Sequence, residues 1–594
     1  MMKIYIKILA VIIGAISLTS CNDALDLDND GHISTSKVFT DRNSTRGYLN
    51  ACYDYREGLS LDMASYTDEA QDCKYNVASS NYDYWYNVGL TVDNYASYSY
   101  DGLPWTNYYE GIRKCNVFIA NIPTSTAYGT DDEKAGWMAQ AYTLRAFYYL
   151  QLFKRYGQVP LVTTDLGTSA DYSKATKAKT GAVVKQILAD CDSALSKNDT
   201  EDGFSWNIYD NQQGIMTRGV AYAIKSEAIT YAVSPLFSDG TYTWQDALNV
   251  TKDALYQCLT NDYSLFTKTA SSTAQNAYAL YFMTTPYDKR SVDKETIYAI
   301  NSELAVWQNA GLPSNSGVSK SGPCPSQELV DCYETSDGEP VLDLSNPYSD
   351  VDHLQPNYNA ANTLYDANKP YANRDPRFDA SIYYNGSIRY LNKPTGTKVQ
   401  TYVGGTEGIS QSSVTHTKTG YYIRKYNNYN STKSSNSDGW MRIFRLAELY
   451  MNFAEAAYQA DGNTPDTEIN IGGTMDLSAR DAVDLIRERA GMPDLPTGLS
   501  STDFQNRYRN ERRIEFALEG QRFFDARRWK ILDSFKVISG MNITVSSATT
   551  TYTRFPFTDR VSTIDKYLLY PLERSEVNKM LKLTGTDWQN SGWE

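Results

Sequence analysis

Histidine is almost missing from this chain: three in 594 residues, His32, His353 and His416. They lie far apart in polar, loop-like stretches, so no His-based metal cluster or triad is written locally. Each is expected to be a solvated surface side chain. Also missing are H-E-x-x-H, G-x-S-x-G, a phosphate-binding G-x-x-x-x-G-K-S/T, and G-x-G-x-x-G before a helix. Positive charge is short too. Lys plus Arg number 56 against 70 Asp plus Glu, a net charge of −14. An acidic chain has no general attraction for nucleic acid or anionic lipid, so no nucleic-acid partner is expected. Beyond the first twenty residues no stretch reaches ~18 consecutive apolar residues, so nothing there is written to span a bilayer. There is no C-x-x-C, and the seven cysteines after Cys21 cannot all pair. Buried free thiols are the expectation, with one Cys324–Cys332 disulfide left open. Carboxylate pairs for glycoside hydrolysis are set by a spatial separation of ~5–10 Å and cannot be read from sequence. These absences argue mildly against an enzyme.

What is present begins at the N-terminus. Lys3 and Lys7 precede an uncharged apolar run, Ile8 to Leu18, too short to span a membrane with those flanks. It ends in Leu18-Thr19-Ser20-Cys21, which resembles a bacterial lipobox and makes Cys21 the expected lipidation site, with a plain signal peptide as the weaker alternative. Several acyl chains on one cysteine suffice for stable anchoring. Asp26, Asp28, Asp30 and Gly31 match the opening of an EF-hand loop, but its twelfth position is Lys37, where calcium needs a bidentate Glu. The reading is a solvated acidic tether. No metal site and no cofactor is predicted, with a structural calcium left open. Acidic residues after such a cysteine also resemble the surface-export signal of Bacteroidetes lipoproteins.

Several segments carry helical periodicity. Trp137, Ala141, Leu144, Tyr148 and Leu152 recur on one face, with Gly157 and Pro160 as the stop. An alanine-rich helix is expected over Met216–Ala232. Another carries Leu446, Tyr450, Phe453 and Ala457. A fourth opens at Ser478 with Asp481 three residues on, and a fifth at Thr502 with Gln505 at capping-box spacing. Alanines among aromatics suit closely packed helix pairs of the tetratricopeptide type, or a generic helical bundle. From about 268 to 440 the texture turns to Gly, Ser, Asn, Thr and Pro. There Asn385-Gly386 sits between two β-rich arms, Ile382–Tyr384 and Ser387–Tyr390, as a hairpin signal.

Phe504, Tyr508, Glu511, Glu515 and Leu518 fall on one helix face. Two carboxylates on an apolar face need partners. A catalytic reading is available, but a structural ion-pair network is favoured, with Arg512, Arg513, Arg522, Arg527 and Arg528 nearby. This stretch, N-E-R-R-I-E-F followed by E-G-Q-R-F-F-D-A-R-R-W, resembles the C-terminal signature of the SusD/RagB family. Leu144–Leu150 with Tyr156–Val162, Trp105-x-x-Tyr108-Tyr109-x-x-Ile112-x-x-x-Asn116, Pro325–Asp331, Arg374–Phe378 and Arg445–Tyr450 resemble further family segments in order. The resemblance implies a mainly α fold: a tetratricopeptide-like scaffold of helical pairs with an inserted, irregular, loop-rich module containing short β-hairpins. It also implies a lipoprotein on the outer face of the outer membrane, without catalysis of its own. Such a protein captures glycan or oligosaccharide and passes it to a SusC-like TonB-dependent transporter. On this reading residues 1–20 are the signal peptide, 21–40 the tether, 41–267 the N-terminal helical region, 268–439 the glycan-binding lid module, and 440–594 the C-terminal helical region.

Sugars offer apolar faces ringed by hydroxyls, so a binder needs flat aromatic platforms edged with amides and carboxylates. Asn81–Asn87 packs Tyr82, Tyr84, Trp85 and Tyr86 among polar residues, with Tyr95, Tyr98 and Tyr100 following. The expected ligand residues are Trp85 and Trp307 first, then Asp68, Tyr84, Asp83 and Tyr281. Asp68 and the Tyr281–Trp307 stretch rest on where the family places its glycan. If residues 82–86 form a strand, Trp85 faces away from the three tyrosines. Trp105 is expected in the core. The rival readings are a surface glycoside hydrolase and a helical-repeat lipoprotein that binds peptide or protein.

Overall fold

The computed structural model describes residues 35–593, apart from 57, 78–80, 88, 168–169, 207–213, 270–275, 284–291, 304–305, 316, 390–396, 428–439, 548, 558–559 and 561–563. Cys21, the signal-peptide run and the Asp26–Gly31 motif lie outside the described residues.

The chain is mainly helical. Short elements come first: α1 (Thr35–Val38), α2 (Arg42–Cys52), β1 (Ala70–Gln71), α3 (Asn81–Tyr86) and α4 (Tyr95–Tyr98). Five longer helices follow: α5 (Trp105–Asn121), α6 (Asp131–Tyr156), α7 (Thr180–Leu195), α8 (Arg218–Ala232) and α9 (Trp244–Thr260). Thr130, Thr217 and Thr243 cap α6, α8 and α9, each side chain accepting a first-turn backbone N–H. Each of these five helices packs on the next. Small residues set the spacing: a Cβ at Gly111 of α5 would stand 2.7 Å from the Tyr148 ring of α6.

After α9 the chain leaves this stack. It makes α10 (Ala277–Met283), β2 (Thr296–Glu303), α11 (Val306–Asn309), β3 (Cys324–Pro325), α12 (Gln327–Cys332), α13 (Pro376–Ser381), β4 (Ile382–Tyr383), β5 (Tyr422–Ile423) and β6 (Trp440–Arg445). Strand β2 pairs antiparallel with β6, which runs straight into α14 (Leu446–Gln459). Helix α14 packs on α9, so the stack resumes across the long excursion. The hairpin β7 (Ile469–Gly472) and β8 (Met475–Leu477) leads to α15 (Ala479–Ala490), packed on α14. Then come α16 (Ser501–Glu515), α17 (Gln521–Arg528), the hairpin β9 (Ile538–Val545) and β10 (Thr550–Phe557), and α18 (Arg574–Thr584).

The described residues form two large apolar cores and a small third cluster of Leu312, Tyr383, Val399 and Tyr422. The larger fills the helix stack with residues such as Phe147, Leu152, Ile224, Leu255 and Phe453. The smaller lies under the excursion, where Phe266, Tyr278, Phe282, Leu329, Phe378 and Tyr421 meet Ile514 and Leu518 beside α16.

Local readings fare differently. Ser478 and Asp481 form a full capping box, but α16 is capped by Ser500 accepting from Asp503, two residues before the expected start. The Asn385-Gly386 turn forms, with the Ser387 amide donating to Tyr384 O and Gly386 at φ +86°. Its arms do not pair with each other, because β4 pairs with distant β5 while Ile388 bridges to Lys398. Cys324 and Cys332 are free thiols, so no disulfide joins them.

Candidate functional site

Helix α3 sorts the aromatics of residues 82–86. At helical spacing, positions 82, 85 and 86 share a face and 84 points the other way. Tyr82, Trp85 and Tyr86 are buried, whereas Tyr84 is 39% exposed. The Trp85 indole lies edge-on to Tyr66 at 5.0 Å between ring centres and also meets Tyr95, Phe523 and Tyr567. Its Nε1 donates to the Tyr98 carbonyl at 3.0 Å, and Tyr66 Oη donates to the same oxygen at 3.0 Å. Two donors thus fix the Tyr98 backbone. Its ring then stacks on Tyr84 with centres 3.7 Å apart and planes within 10°. Gly89 keeps this arrangement open, since a Cβ there would stand 3.1 Å from Tyr84 Cδ1. Asn94 pins the loop by donating to Gly89 O and accepting from the Thr91 amide. The hydrogen bond with Tyr84 raises the Tyr98 phenol above its ordinary value. The result is a stacked, solvent-facing tyrosine pair with half-buried Asp83 on the same short helix as Tyr84 and exposed Asn87 just past its end.

Three expected ligand residues are not surfaces. Trp85 is 2% exposed, because α3 is a helix rather than a strand and turns the indole toward α17. Trp307, on α11, is 7% exposed. Tyr281, on α10, is fully buried. The Arg442 guanidinium covers its ring at 4.0 Å and donates to its carbonyl, while its hydroxyl bonds Thr296. Asp68 is buried as well, held by Arg522 at 2.8 Å and Arg513 at 3.1 Å. Burial pushes its carboxyl up, but those two arginines outweigh that and hold it near about 2. Asp68 belongs to a separate cleft of about 340 Å³, whose lining includes neither Tyr84 nor Tyr98. His353 lines the same cleft. It is not a free surface side chain: its ring stacks on Tyr348 at 4.1 Å, and Nδ1 lies 3.0 Å from Glu328. An aromatic-lined groove of about 310 Å³ also opens between α5 and α18, past Trp105, Tyr109, Tyr172 and Trp588. Both of its tryptophans are buried, Trp105 as expected.

The family model described as the SusD family matches residues 281–593, more than half of the chain. The chain belongs to the SusD family. A second family model, described as starch-binding associating with outer membrane, matches residues 25–201. SusD-like protein P38 of Formosa agariphila is 26% identical over 180 residues, 30% of this chain. The chain therefore spans about a third (34%) of the length of that curated relative. A crystal structure of a SusD-like protein from Bacteroides fragilis is 24% identical, with a TM-score of 0.71 and coverage of 94% of this chain and 98% of that one. A SusD-like carbohydrate binding protein from the same organism is 21% identical, with a TM-score of 0.66 and coverage of 91% and 98%. At these identities the two structures share the fold.

The family signature is a structural device in this SusD-family chain. Glu511 binds Arg377 and Arg487, and Glu515 binds Arg377, Arg445 and Arg489. All six side chains are buried. Burial would raise Glu515, but Arg489, Arg445 and Arg377 outweigh it and hold the carboxyl near about 2. The partners are not the neighbouring arginines that the sequence suggests. Arg512 and Arg528 instead bind Asp525, Arg528 also binds Glu455, and Arg527 lies over the Phe523 ring. Both carboxylates of the motif are fully engaged, which leaves neither available as a general acid or nucleophile. Among the described residues no group of His, Cys, Asp and Glu is placed to hold a metal ion.

Proposed function

We propose that this SusD-family chain is a non-catalytic glycan-binding lipoprotein, anchored through Cys21 to the outer membrane and facing the exterior. It captures glycan or oligosaccharide and delivers it to a SusC-like TonB-dependent transporter. The observation that carries the ligand class is the Tyr84–Tyr98 stack. A parallel ring pair at the surface offers the flat apolar face on which a sugar packs, with Asp83 and Asn87 near enough in sequence to meet hydroxyls. Family membership supports the same reading, as does a fold shared with a protein named as carbohydrate binding. Buried Trp85 supports this surface through its bond to the Tyr98 carbonyl, while Trp307 and Tyr281 are buried elsewhere in the chain.

The test is calorimetric titration of neutral oligosaccharides into wild type and a Tyr84→Ala/Tyr98→Ala double variant. Binding heat is expected to vanish in the double variant while the thermal midpoint stays within a few degrees. Wild-type heats in the double variant would reject the platform. Incubation with polysaccharides is expected to release no reducing ends. Sustained release would favour a hydrolase. Co-purification with a barrel transporter, lost on Cys21→Ala, tests the anchor and the partner together.

A further inference from the structure

The cleft that holds Asp68 is lined by arginines with unused donors. Arg509, Arg513 and Arg522 all line it. The carboxylates that also line it are Asp68, Glu328 and Asp331, and two of these are already satisfied elsewhere. Asp331 takes a bidentate bond from Arg554, at 2.7 and 2.9 Å, and the Tyr348 hydroxyl. Glu328 takes the Ser539 amide and hydroxyl, both at 2.8 Å, and His353. Asp68 binds Arg513 and Arg522, and buried Glu69 lies among Arg509, Arg513 and Arg522 as well. Arg509 reaches no carboxylate among the described residues, and its guanidinium rests 4.8 Å above the Trp529 ring. The buried Nε of Arg513 has no hydrogen-bond partner. Guanidinium donors without a carboxylate partner are therefore gathered in one cleft of a chain whose net charge is −14.

The lining also carries a stacked ring pair. Antiparallel bridges Leu342–Tyr358 and Tyr348–Pro356 make a hairpin-like loop that brings Tyr348 and His353 face to face, with planes within 12°. His353 sits at φ +58°, a conformation that non-glycine residues rarely adopt, and its Glu328 contact and the stack hold it there. Asn506 and Asn510 add amides to the lining, and the volume of about 340 Å³ suits a small ligand.

We propose that this cleft is a second saccharide site that takes an anionic sugar residue, recognised through its uronate carboxylate or sulfate ester. The inference extends the glycan-binding reading and assigns a charge class to a site apart from the tyrosine platform. Guanidinium groups pair with planar carboxylates and with sulfate oxygens through charge-assisted, forked hydrogen bonds. Arg509 and Arg513 are the positions with donors to spare.

The full-length protein in detergent is titrated with tetragalacturonate, its methyl ester, a sulfated galactan tetrasaccharide and maltotetraose. Tetragalacturonate or the sulfated probe, or both, is expected to bind. Methyl esterification is expected to abolish uronate binding, and Arg509→Gln to weaken the anionic probe at least tenfold, with Arg509→Lys recovering part of it. If no anionic probe binds, if the methyl ester binds as well as the acid, or if Arg509→Gln leaves affinity unchanged, the proposal falls. The two readings separate cleanly. Maltotetraose binding that depends on Tyr84 and Tyr98 but not on Arg509 keeps the platform whichever way the cleft turns out. Anion binding lost in Tyr84→Ala/Tyr98→Ala and kept in Arg509→Gln moves the charge recognition to the platform and rejects the cleft.

Discussion

Helix α16 has two charged faces that behave oppositely. On one, Glu511 and Glu515 meet Arg377, Arg445, Arg487 and Arg489, which also bind Asp375, Glu295, Glu519 and Glu334. Lys425 on Glu519 and Arg507 on Glu334 bring the cations to six against six carboxylates, and the four arginines and their carboxylates are sealed from water. On the other face, Arg513 shares Asp68 with Arg522, Arg509 has no carboxylate partner among the described residues, and both line an open cleft. The same residue types thus make a frame where the charges close and a recognition surface where they do not. Buried pairs are costly to form but far costlier to break singly. Unpaired charge is tolerated only beside solvent or a ligand.

The comparison breaks first at Arg377. Arg377→Ala leaves Asp375, Glu511 and Glu515 short of a buried cation, and the expected loss is about 3–5 kcal/mol in urea denaturation. A loss under about 1 kcal/mol would mean that the network is not what holds α16. Trp85→Ala comes next. It empties a site among Tyr66, Tyr95, Phe523 and Tyr567 and frees the Tyr98 carbonyl, so about 3–5 kcal/mol of stability is expected to go, together with glycan binding. Tyr84→Ala should lose binding alone.

The pH profile sharpens the contrast. Asp68 and Glu515 are held near about 2 in the folded chain, below their unfolded values of 3.8 and 4.5. Their contribution is present above about pH 4.5 and is lost as pH falls toward 2, roughly 2–3 kcal/mol for each. Glu69 and Glu448 go the other way. Burial raises them to about 7 and about 8, with Asp68 adding to Glu69 and Glu227 to Glu448. Their folded pKa lies above the unfolded one, so they favour folding fully below pH 4.5, and that favour is lost steadily as pH rises from there to about 7 and about 8. Urea midpoints measured from pH 3 to 9 should therefore peak near about pH 4 to 5 and fall from there to about pH 8. Glu448→Gln should flatten the alkaline side, and an unchanged alkaline slope would contradict the assignment.

The frame was legible because it repeats local physics. The face of Trp137, Leu144 and Tyr148, the Ser478–Asp481 box and the alanines of α8 each declare a helix within one or two turns. The resumption of the stack at Leu446 after the excursion that begins past α9 was legible only through order of motifs. The site was much less so. Trp85 lies in a polar-interleaved segment whose six residues are too few for periodicity to separate helix from strand. Whether its indole faces water depends on Phe523 and Tyr567, more than 430 residues away. Arg509 and Arg513, at i and i+4, do signal a shared basic face. That the face lacks carboxylates depends on Asp331 and Glu328 being taken by Arg554, Ser539 and His353, which no local pattern records.

The smallest expected effect is the most discriminating. Arg509→Gln removes a guanidinium from the same helix as the Arg377 partners, so a purely positional view would expect comparable damage. The contacts argue otherwise. Arg509 leaves no carboxylate stranded, and what it gives up is one cation–π contact with Trp529, worth about 0.5–1 kcal/mol. Denaturation should place Arg509→Gln within about 1 kcal/mol of wild type, several-fold less than Arg377→Ala. If the two variants lose similar stability, Arg509 is part of the frame, and the distinction between the balanced and unbalanced faces of α16 fails with it.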